Sequence, residues 1–374
     1  MINNRNIPFF NYPALFKSQE KEMMETLHDV MSRGAFILQQ DLVQFEENLK
    51  EFLNIKHVFG VADGTNALML ALRAAGIGVG DEVILCSHTY IATAASVHFV
   101  GATPVLAECG ADRMIDPNHV LRLITKKSRA IMPTQLNGRT CDMDALLSIA
   151  EEHQLIIIED AAQALGSKFR RKYAGTFGAA GTFSFYPAKL LGCFGDGGAV
   201  VTNDDTIAEK LFLLRDHGRN KEGEVVTWGT NCRLDNIQAA VLNLKMKTFK
   251  RDIARRREIA YMYHKLLNDI EDLTLPPAPD EDEKHFDVYQ NYELESGQRN
   301  ALKEYLFQNG VGTLIQWGGK AVHQFKGLGF ENVNLPKTEK FFTRCLMLPM
   351  NTTLIDEDVH YICGCIRKFY NLKP

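Results

Sequence analysis

The chain has 374 residues, 45% of them hydrophobic, enough for one sizeable domain and a smaller one. Its formal charge of −4 offers no basic field for nucleic acid, no apolar run approaches a membrane span, and the start, Met1-Ile2-Asn3-Asn4-Arg5, lacks the apolar core of a signal peptide, so the cytosol is the expected compartment. The eight cysteines are scattered through apolar runs such as Val83-Ile84-Leu85-Cys86, which is the pattern of reduced core thiols and not of a disulfide framework.

Periodic apolar residues predict a helix over 15–33, with Met23, Leu27, Val30 and Met31 in step, and a second over 42–53. Strands and helices then alternate: strand 57–61, helix 65–75, strand 82–87, helix 92–100, strand 104–108, a helix opening at Pro117, strand 130–132, helix 143–152 and strand 155–159. Alternation of this kind implies an α/β fold with a mainly parallel sheet covered on both faces, and with ligands outside the carboxyl ends of its strands. Asp160 stands at such an end. Two more strands, 181–186 and 198–202, flank Lys189 and leave it on the loop between them.

A long helix is predicted over 235–267, and the boundary between the large and small units is placed in it, giving 1–245 and 246–374. Its basic run, Lys250-Arg251-Asp252-Ile253-Ala254-Arg255-Arg256-Arg257, has no interleaved aromatic residues and reads as a solvated helix face. After the loop at 276–283 come strand 286–294, helix 300–308, strand 312–317 and a last helix with Val359, Ile362, Cys363, Ile366 and Phe369 on one stripe, together a small α+β unit. Cys363 and Cys365 point to different faces of that helix, and no second cluster completes a metal site.

The chemistry begins with Lys189, in Ser184-Phe185-Tyr186-Pro187-Ala188-Lys189, and with Asp160 at the end of a run of isoleucines. An amine that can condense with an aldehyde, and a carboxylate that can keep a pyridine nitrogen protonated, are the two groups a pyridoxal phosphate enzyme requires. Gly64-Thr65-Asn66-Ala67 lies between a strand and a helix, where free N–H groups favour a phosphate; an ordinary helix cap formed by Asp63 or Thr65 accounts for it equally well. Gly76-Ile77-Gly78-Val79-Gly80 follows a helix and precedes a strand, the wrong order for a dinucleotide loop. Ser184 lacks both the Ser-x-x-Lys and the Gly-x-Ser-x-Gly setting of a hydrolase nucleophile. His88 and His217 read as structural or substrate-contacting residues, since a lysine is already placed for proton transfer.

Seven segments in order resemble the DegT/StrS family of sugar aminotransferases: Gly64-Thr65-Asn66-Ala67-Leu68, Ser87-His88-Thr89-Tyr90-Ile91-Ala92-Thr93-Ala94, Gly101-Ala102-Thr103-Pro104-Val105, Glu159-Asp160-Ala161-Ala162-Gln163-Ala164, Ser184-Phe185-Tyr186-Pro187-Ala188-Lys189, Gly195-Asp196-Gly197-Gly198, and the run from Asn231 through Arg233, Asp235 and Gln238 to Ala240. The resemblance implies the aspartate-aminotransferase-like fold type I, with a seven-stranded sheet, and a homodimer as the working unit. It makes Lys189 the residue that binds pyridoxal 5'-phosphate covalently and shuttles the proton, and Asp160 the partner of the pyridine nitrogen. It places Gln163 near the ring hydroxyl and Tyr90 on the outer ring face. Gly64, Thr65, Asn66 and Ser184 fall at cofactor positions around the phosphate, and Asn231 at a position that reaches the phosphate in the other subunit.

The stretch Gly312-Thr313-Leu314-Ile315-Gln316-Trp317-Gly318-Gly319-Lys320-Ala321-Val322-His323 departs from the family's His-Tyr-Pro-like segment, with Gln316 at the histidine and Gly318-Gly319 in the proline neighbourhood. Gln316, Trp317 and His323 are the expected substrate-side residues. The expected activity is transfer of an amino group from an amino acid, glutamate, to a nucleotide-linked keto-deoxysugar. A small or phosphorylated keto compound is the alternative acceptor, and a non-catalytic regulatory protein that holds the cofactor is the alternative of another class.

Overall fold

The computed structural model describes residues 5–373. The reading of the N-terminus rests partly on residues 1–4, which lie outside that range, as does the last residue of the expected small unit.

Three helices open the described chain, α1 (Tyr12–Lys17), α2 (Glu20–Arg33) and α3 (Gln40–Leu53). The single helix expected over 15–33 is two, because Gln19 leaves helical geometry at φ −130 and becomes the N-cap of α2. Next come β1 (His57–Val61), α4 (Gly64–Ala74), β2 (Glu82–Cys86), α5 (Ile91–Phe99) and β3 (Thr103–Ala107). They are followed by α6 (Pro117–Leu123), β4 (Ser128–Met132), α7 (Met143–Glu152) and β5 (Ile156–Asp160). A short pair, β6 (Lys168–Phe169) and β7 (Lys172–Tyr173), precedes β8 (Ala180–Ser184), β9 (Gly198–Thr202) and a helix with no counterpart in the sequence reading, α8 (Asp205–Leu214).

Seven of these strands form one sheet in the order β1-β9-β8-β5-β4-β2-β3. β9 runs antiparallel to both neighbours and the other six strands are parallel to one another. The strands are apolar throughout because both faces are covered. In β2, Val83 and Leu85 pack with Leu68 and Ala71 of α4 and Val97 of α5, while Ile84 and Cys86 face Met143 and Leu146 of α7.

The helix expected over 235–267 is also two, α9 (Asn236–Met246) and α10 (Phe249–Leu267), parted at Lys247 and Thr248. Beyond them lie β10 (Leu273–Thr274), β11 (His285–Phe286), β12 (Tyr292–Ser296), α11 (Arg299–Gln308), α12 (Pro336–Arg344), β13 (Cys345–Leu348) and α13 (Asp356–Phe369). A three-stranded antiparallel sheet, β10-β12-β13, shares a core with α10, α11 and α13, and Ile7 from the N-terminal segment is buried in it.

Two expected strands fail, and both failures build the site. The strand over 286–294 divides: β11 pairs with β6, β12 pairs with β13, and between them Tyr289 takes a left-handed φ of 51. The strand over 312–317 is reduced to one bridge, Leu314 with Met347, followed by a 3-10 turn over Gln316–Gly319 in which Trp317 has φ 49 and Gly318 φ 69. The broken strand leaves the carbonyls of Tyr289 and Gln290 outside any ladder, and buried Arg256 donates to both of them and to the carbonyl of Met350. Arg257 holds the carbonyl of Asp287, and Arg255 that of Leu354. Arg255, Arg256 and Arg257 are therefore a stitch between layers, which corrects the reading of the basic run as a solvated face for its second half, while Lys250 and Arg251 are exposed. All eight cysteines are buried free thiols, and no described helix is long and apolar enough to cross a membrane.

Candidate active site

A cavity of about 670 Å3 opens at the carboxyl ends of the central strands, where Tyr90 follows β2, Thr134 follows β4, Asp160 ends β5 and Ser184 ends β8. Lys189, Gln163, Gly64, Thr65, Asn66, Gln316 and Trp317 border the same space. Asn231 and His323 do not. Asn231 is exposed on the arm closed by the bridge from Asp216 to Asn231. His323 pairs with Ser87 Oγ at 2.7 Å and with Glu339 at 3.1 Å, so both of its ring nitrogens are engaged away from the cavity.

Asp160 is buried, and its neighbour Glu159 shows why only one of the two faces the cavity. Alternation along β5 turns Glu159 to the opposite side, where its carboxylate accepts from the N–H groups of Gly175, Phe177 and Gly178. Asp160 Oδ2 accepts from Thr93 Oγ1 at 2.7 Å and Oδ1 from the Ala162 N–H at 3.2 Å. Because the one proton of Thr93 goes to Asp160, Thr93 must accept from Thr89 (2.7 Å), and Thr89 in turn from Thr134 (2.9 Å). This directed chain of hydroxyls supports an anion at Asp160. Burial nonetheless pushes the Asp160 carboxyl above its ordinary value, opposed by Thr93, Ala162 and the charge of Lys189.

Burial also lowers Lys189 to about 8, with Asp160 opposing the shift. Near neutral pH roughly a tenth of a lysine with that value is the free, nucleophilic amine, far more than at the ordinary 10.5. The loop that carries it is held by Gln290, a residue for which the sequence offered no signal. Gln290 Nε2 donates to the carbonyl of Ala188 at 2.7 Å, and its Oε1 accepts the N–H of Leu190 at 2.7 Å.

At the other end of the cavity Asp63 caps α4, accepting from the Asn66 N–H at 2.8 Å and from Asn66 Nδ2 at 2.6 Å. The cap reading of this segment is thus realised, with the main chain and Nδ2 of Asn66 engaged in it. Among the described residues the cap leaves the N–H groups of Gly64 and Thr65 without partners at the positive end of the helix. Gly64 lies so close to β8 that a Cβ there would stand 2.8 Å from Ser184 Cβ, so the backbone and the Thr65 and Ser184 hydroxyls form one concave patch. Anion cradle, amine and carboxylate within one cavity fit the phosphate, aldehyde and ring nitrogen of pyridoxal phosphate.

Three further amides that border the cavity, Gln163, Asn291 and Gln316, converge on Asn137, which has φ 55. Gln163 Oε1 accepts the Asn137 N–H at 2.9 Å, which leaves the Gln163 NH2 group as its free donor. Asn137 Oδ1 accepts from Gln316 Nε2 at 2.6 Å and from Asn291 Nδ2 at 2.7 Å, while Asn137 Nδ2 donates to Glu293 Oε2 at 2.7 Å. Burial pushes Glu293 up to about 7. His88 lies behind it, with Nε2 at 3.7 Å from Glu293; its Nδ1 donates to the carbonyl of Arg113, and burial lowers it to about 4, so it is a neutral interior group. His217 is exposed and lies outside the cavity. Tyr90 and Trp317 approach each other with ring centroids 6.3 Å apart, and the left-handed backbone of Trp317 marks strain held at a binding wall.

Thr93, Asn137, Gln290 and Asn291 are the residues that the sequence reading missed. Thr93 lay inside a segment that was already singled out. The other three gain meaning only through partners remote in sequence.

The model of the DegT/DnrJ/EryC1/StrS aminotransferase family matches residues 17–367. The chain is 38% identical to the dTDP-3-amino-3,4,6-trideoxy-alpha-D-glucose transaminase of Streptomyces venezuelae, over 97% of this chain and 96% of that one. It is 36% identical to the dTDP-3-amino-3,6-dideoxy-alpha-D-galactopyranose transaminase of Aneurinibacillus thermoaerophilus, over 97% and 99%. A relative in Geobacillus stearothermophilus, 36% identical over 98% and 99%, is named a pleiotropic regulatory protein. Among solved structures, S. venezuelae DesV superimposes with a TM-score of 0.93 at 36% identity, covering 97% of this chain and 98% of that one.

Proposed function

The chain belongs to the DegT/DnrJ/EryC1/StrS aminotransferase family and is a pyridoxal-phosphate-dependent aminotransferase of fold type I; we propose that its amino donor is an amino acid, glutamate, and that its acceptor is a nucleotide-linked keto-deoxysugar destined for a polysaccharide or glycosylated metabolite. The observation that carries the acceptor is kinship along nearly the whole chain with transaminases named for dTDP-linked amino deoxysugars. A cavity of about 670 Å3 is of the size that accommodates ligands of this class.

When bound, pyridoxal phosphate supplies an aldehyde for amine exchange and an electron sink for bond breaking at the amino-bearing carbon. Lys189 supplies the covalent attachment and then, as a free amine, takes and returns a proton at Nζ. Asp160 would hold the positive ring nitrogen, its carboxylate kept oriented by the hydroxyl chain from Thr134. The free NH2 of Gln163 would serve a ring oxygen, and the face of Tyr90 would cover the ring. The Gly64 and Thr65 N–H groups, with the Thr65 and Ser184 hydroxyls, would hold the phosphate.

A homodimer with shared sites completes the arrangement. Lys189 is the single cationic side chain among the described residues lining the cavity, while Asp63, Asp160 and Asp196 also border it. An amino acid donor and a diphosphate-linked acceptor both require more positive charge. Asn231 lies on the exposed arm from Asp216, which also carries Arg219 and the strongly exposed Trp228, as expected of a segment that reaches a second copy. We place the protein in the cytosol, with small-molecule substrates and neither nucleic acid nor membrane as a partner, and divide it between α9 and α10 into a large and a small unit. The free amine and its carboxylate partner are both in place, which favours turnover over a purely regulatory role.

A half-reaction screen tests the acceptor. Protein loaded with pyridoxamine phosphate is mixed with dTDP- and UDP-linked keto-deoxysugars, and with small and phosphorylated ketones, and return of the pyridoxal spectrum is followed. Return with the sugars is expected. Return only with a small ketone would transfer the assignment to the alternative acceptor, for which the Gln316-Trp317 departure is the supporting feature.

A further inference from the structure

The segment ahead of α1 also reaches the active site. Ile7 forms a parallel bridge with Val311: its N–H donates to the carbonyl of Gly310 and its carbonyl accepts the N–H of Gly312, each at 2.8 Å. Asn351 Nδ2 donates to the carbonyl of Phe9 at 3.3 Å, and Asn11 Oδ1 accepts the Ala14 N–H as the cap of α1. Residues 8–11 are thus a short strap fixed at both ends, and Phe9 and Phe10 on it border the cavity that holds Lys189. The Phe10 ring stacks on Tyr12, with centroids 5.5 Å apart and planes 11° from parallel, and meets Phe9 edge-on at 4.6 Å. Tyr12 backs one face of the ring, yet Phe10 stays 40% exposed.

Exposed aromatic surface at a binding cavity is surface that a ligand can cover. Among the described residues, the strongly exposed aromatic side chains bordering this cavity are Phe10, Tyr90 and Tyr186. Tyr90 is assigned to the cofactor ring, and Tyr186 is closed onto the amine end of the site, its carbonyl accepting the Lys189 N–H at 2.8 Å. Phe10 stands on a separate segment. A nucleotide-linked sugar that brings its keto carbon to Lys189 carries its base at the opposite end of the molecule, beyond the diphosphate and toward the rim. We infer that Phe10 is a specificity-determining residue for the acceptor: its open ring face, backed by Tyr12, stacks on the nucleobase. The inference deepens the nucleotide-sugar reading and rests on it. Neither glutamate nor a small ketone has a flat face to offer, so the strap favours the nucleotide-linked acceptor over both. Every base has a π-face, so the stacking does not read which base is present. The fixed ends of the strap hold the ring in place before the ligand arrives, which lowers the ordering cost of binding.

The nucleotide alone tests the base end of the site. Protein loaded with pyridoxamine phosphate is titrated calorimetrically with dTDP, which carries no sugar and cannot react. Phe10→Ala removes the ring, Phe10→Leu keeps apolar bulk without a π-face, and Phe10→Tyr keeps the face. Phe10 lies outside the buried core, so these changes leave the interior packing in place. Affinity for dTDP should fall about tenfold in Phe10→Ala, the worth of one stacked base. Phe10→Leu should recover little of it and Phe10→Tyr most of it, with pyridoxamine phosphate affinity and thermal midpoint little changed in all three. Unchanged dTDP affinity in Phe10→Ala, or full affinity in Phe10→Leu, would overturn the inference while leaving the nucleotide-sugar reading intact. A fall in affinity that comes with dissociation of the dimer in sedimentation would also overturn it, because the ring is then covered by a second copy and not by the base. An unaltered protein that binds neither dTDP nor UDP would overturn both.

Discussion

Gln290 grips the main chain on both sides of Lys189, donating to the carbonyl of Ala188 and accepting from the N–H of Leu190, each at 2.7 Å. The two residues lie on different layers, and the clamp is itself held by Arg256, which donates to the Gln290 carbonyl. Gln290→Ala leaves two backbone groups unpaired, each costing about 1–3 kcal/mol where water cannot replace the partner. The variant should melt earlier and turn over slowly because Lys189 wanders, yet bind the cofactor phosphate. An unchanged thermal midpoint and rate would show that the clamp is dispensable.

Lys189 should titrate near 8 in the cofactor-free protein, because burial disfavours its charged form. Its arylation by trinitrobenzenesulfonate should therefore rise with pH and reach half its plateau at about 8. Asp160 opposes the shift, so Asp160→Asn removes an attraction for the ammonium and should move the midpoint lower still. In the loaded enzyme the same substitution should cut turnover by about a hundredfold or more, since the positive ring nitrogen loses its counter-charge. A midpoint that moves upward in Asp160→Asn would contradict the coupling of the two groups.

Gly64→Ala puts a methyl group 2.8 Å from Ser184 Cβ, both of which are on the anion patch. Cofactor affinity measured by dialysis should fall at least tenfold, as the N–H groups of Gly64 and Thr65 are pushed off their line. Free phosphate should compete less well with the cofactor in the variant than in the unaltered protein. Retained affinity would locate the phosphate elsewhere.

Complementation examines the shared site. Lys189→Ala chains and chains with a severely damaging Asn231 substitution are each expected to be inactive. Once subunit exchange is verified, mixing them should restore activity, because one site of each hybrid combines an intact Lys189 with the other chain's Asn231. Full conversion to hybrids would approach half the activity of the unaltered dimer. Hybrids that contain cofactor and stay inactive would argue that each chain supplies its whole site.

Lys189, Asp160 and the helix opening at Gly64 were legible in the sequence because each is announced by its neighbours: an isoleucine run ending in an acid, a glycine at a strand-to-helix turn, a lysine between two apolar strands. Hydrophobic periodicity is a local property, and it placed the strands of the parallel sheet to within a residue or two. The central geometry follows from it, since parallel strands buried on both faces must open their carboxyl ends on one rim.

Tertiary structure decided the parts that depend on unpaired backbone. The runs at 286–294 and 312–317 carry strand-like sequence, yet each is broken where Tyr289 and Trp317 turn left-handed, and the breaks bring Gln290, Asn291 and Gln316 to the cavity. Arg256 reads as one charge in a basic helix until three carbonyls need its donors. Asn137 has no local signal, because its meaning lies in four hydrogen-bonding partners, three of them more than 150 positions away. A local pattern records which way a residue faces. Only the folded chain determines which donor and acceptor it meets there.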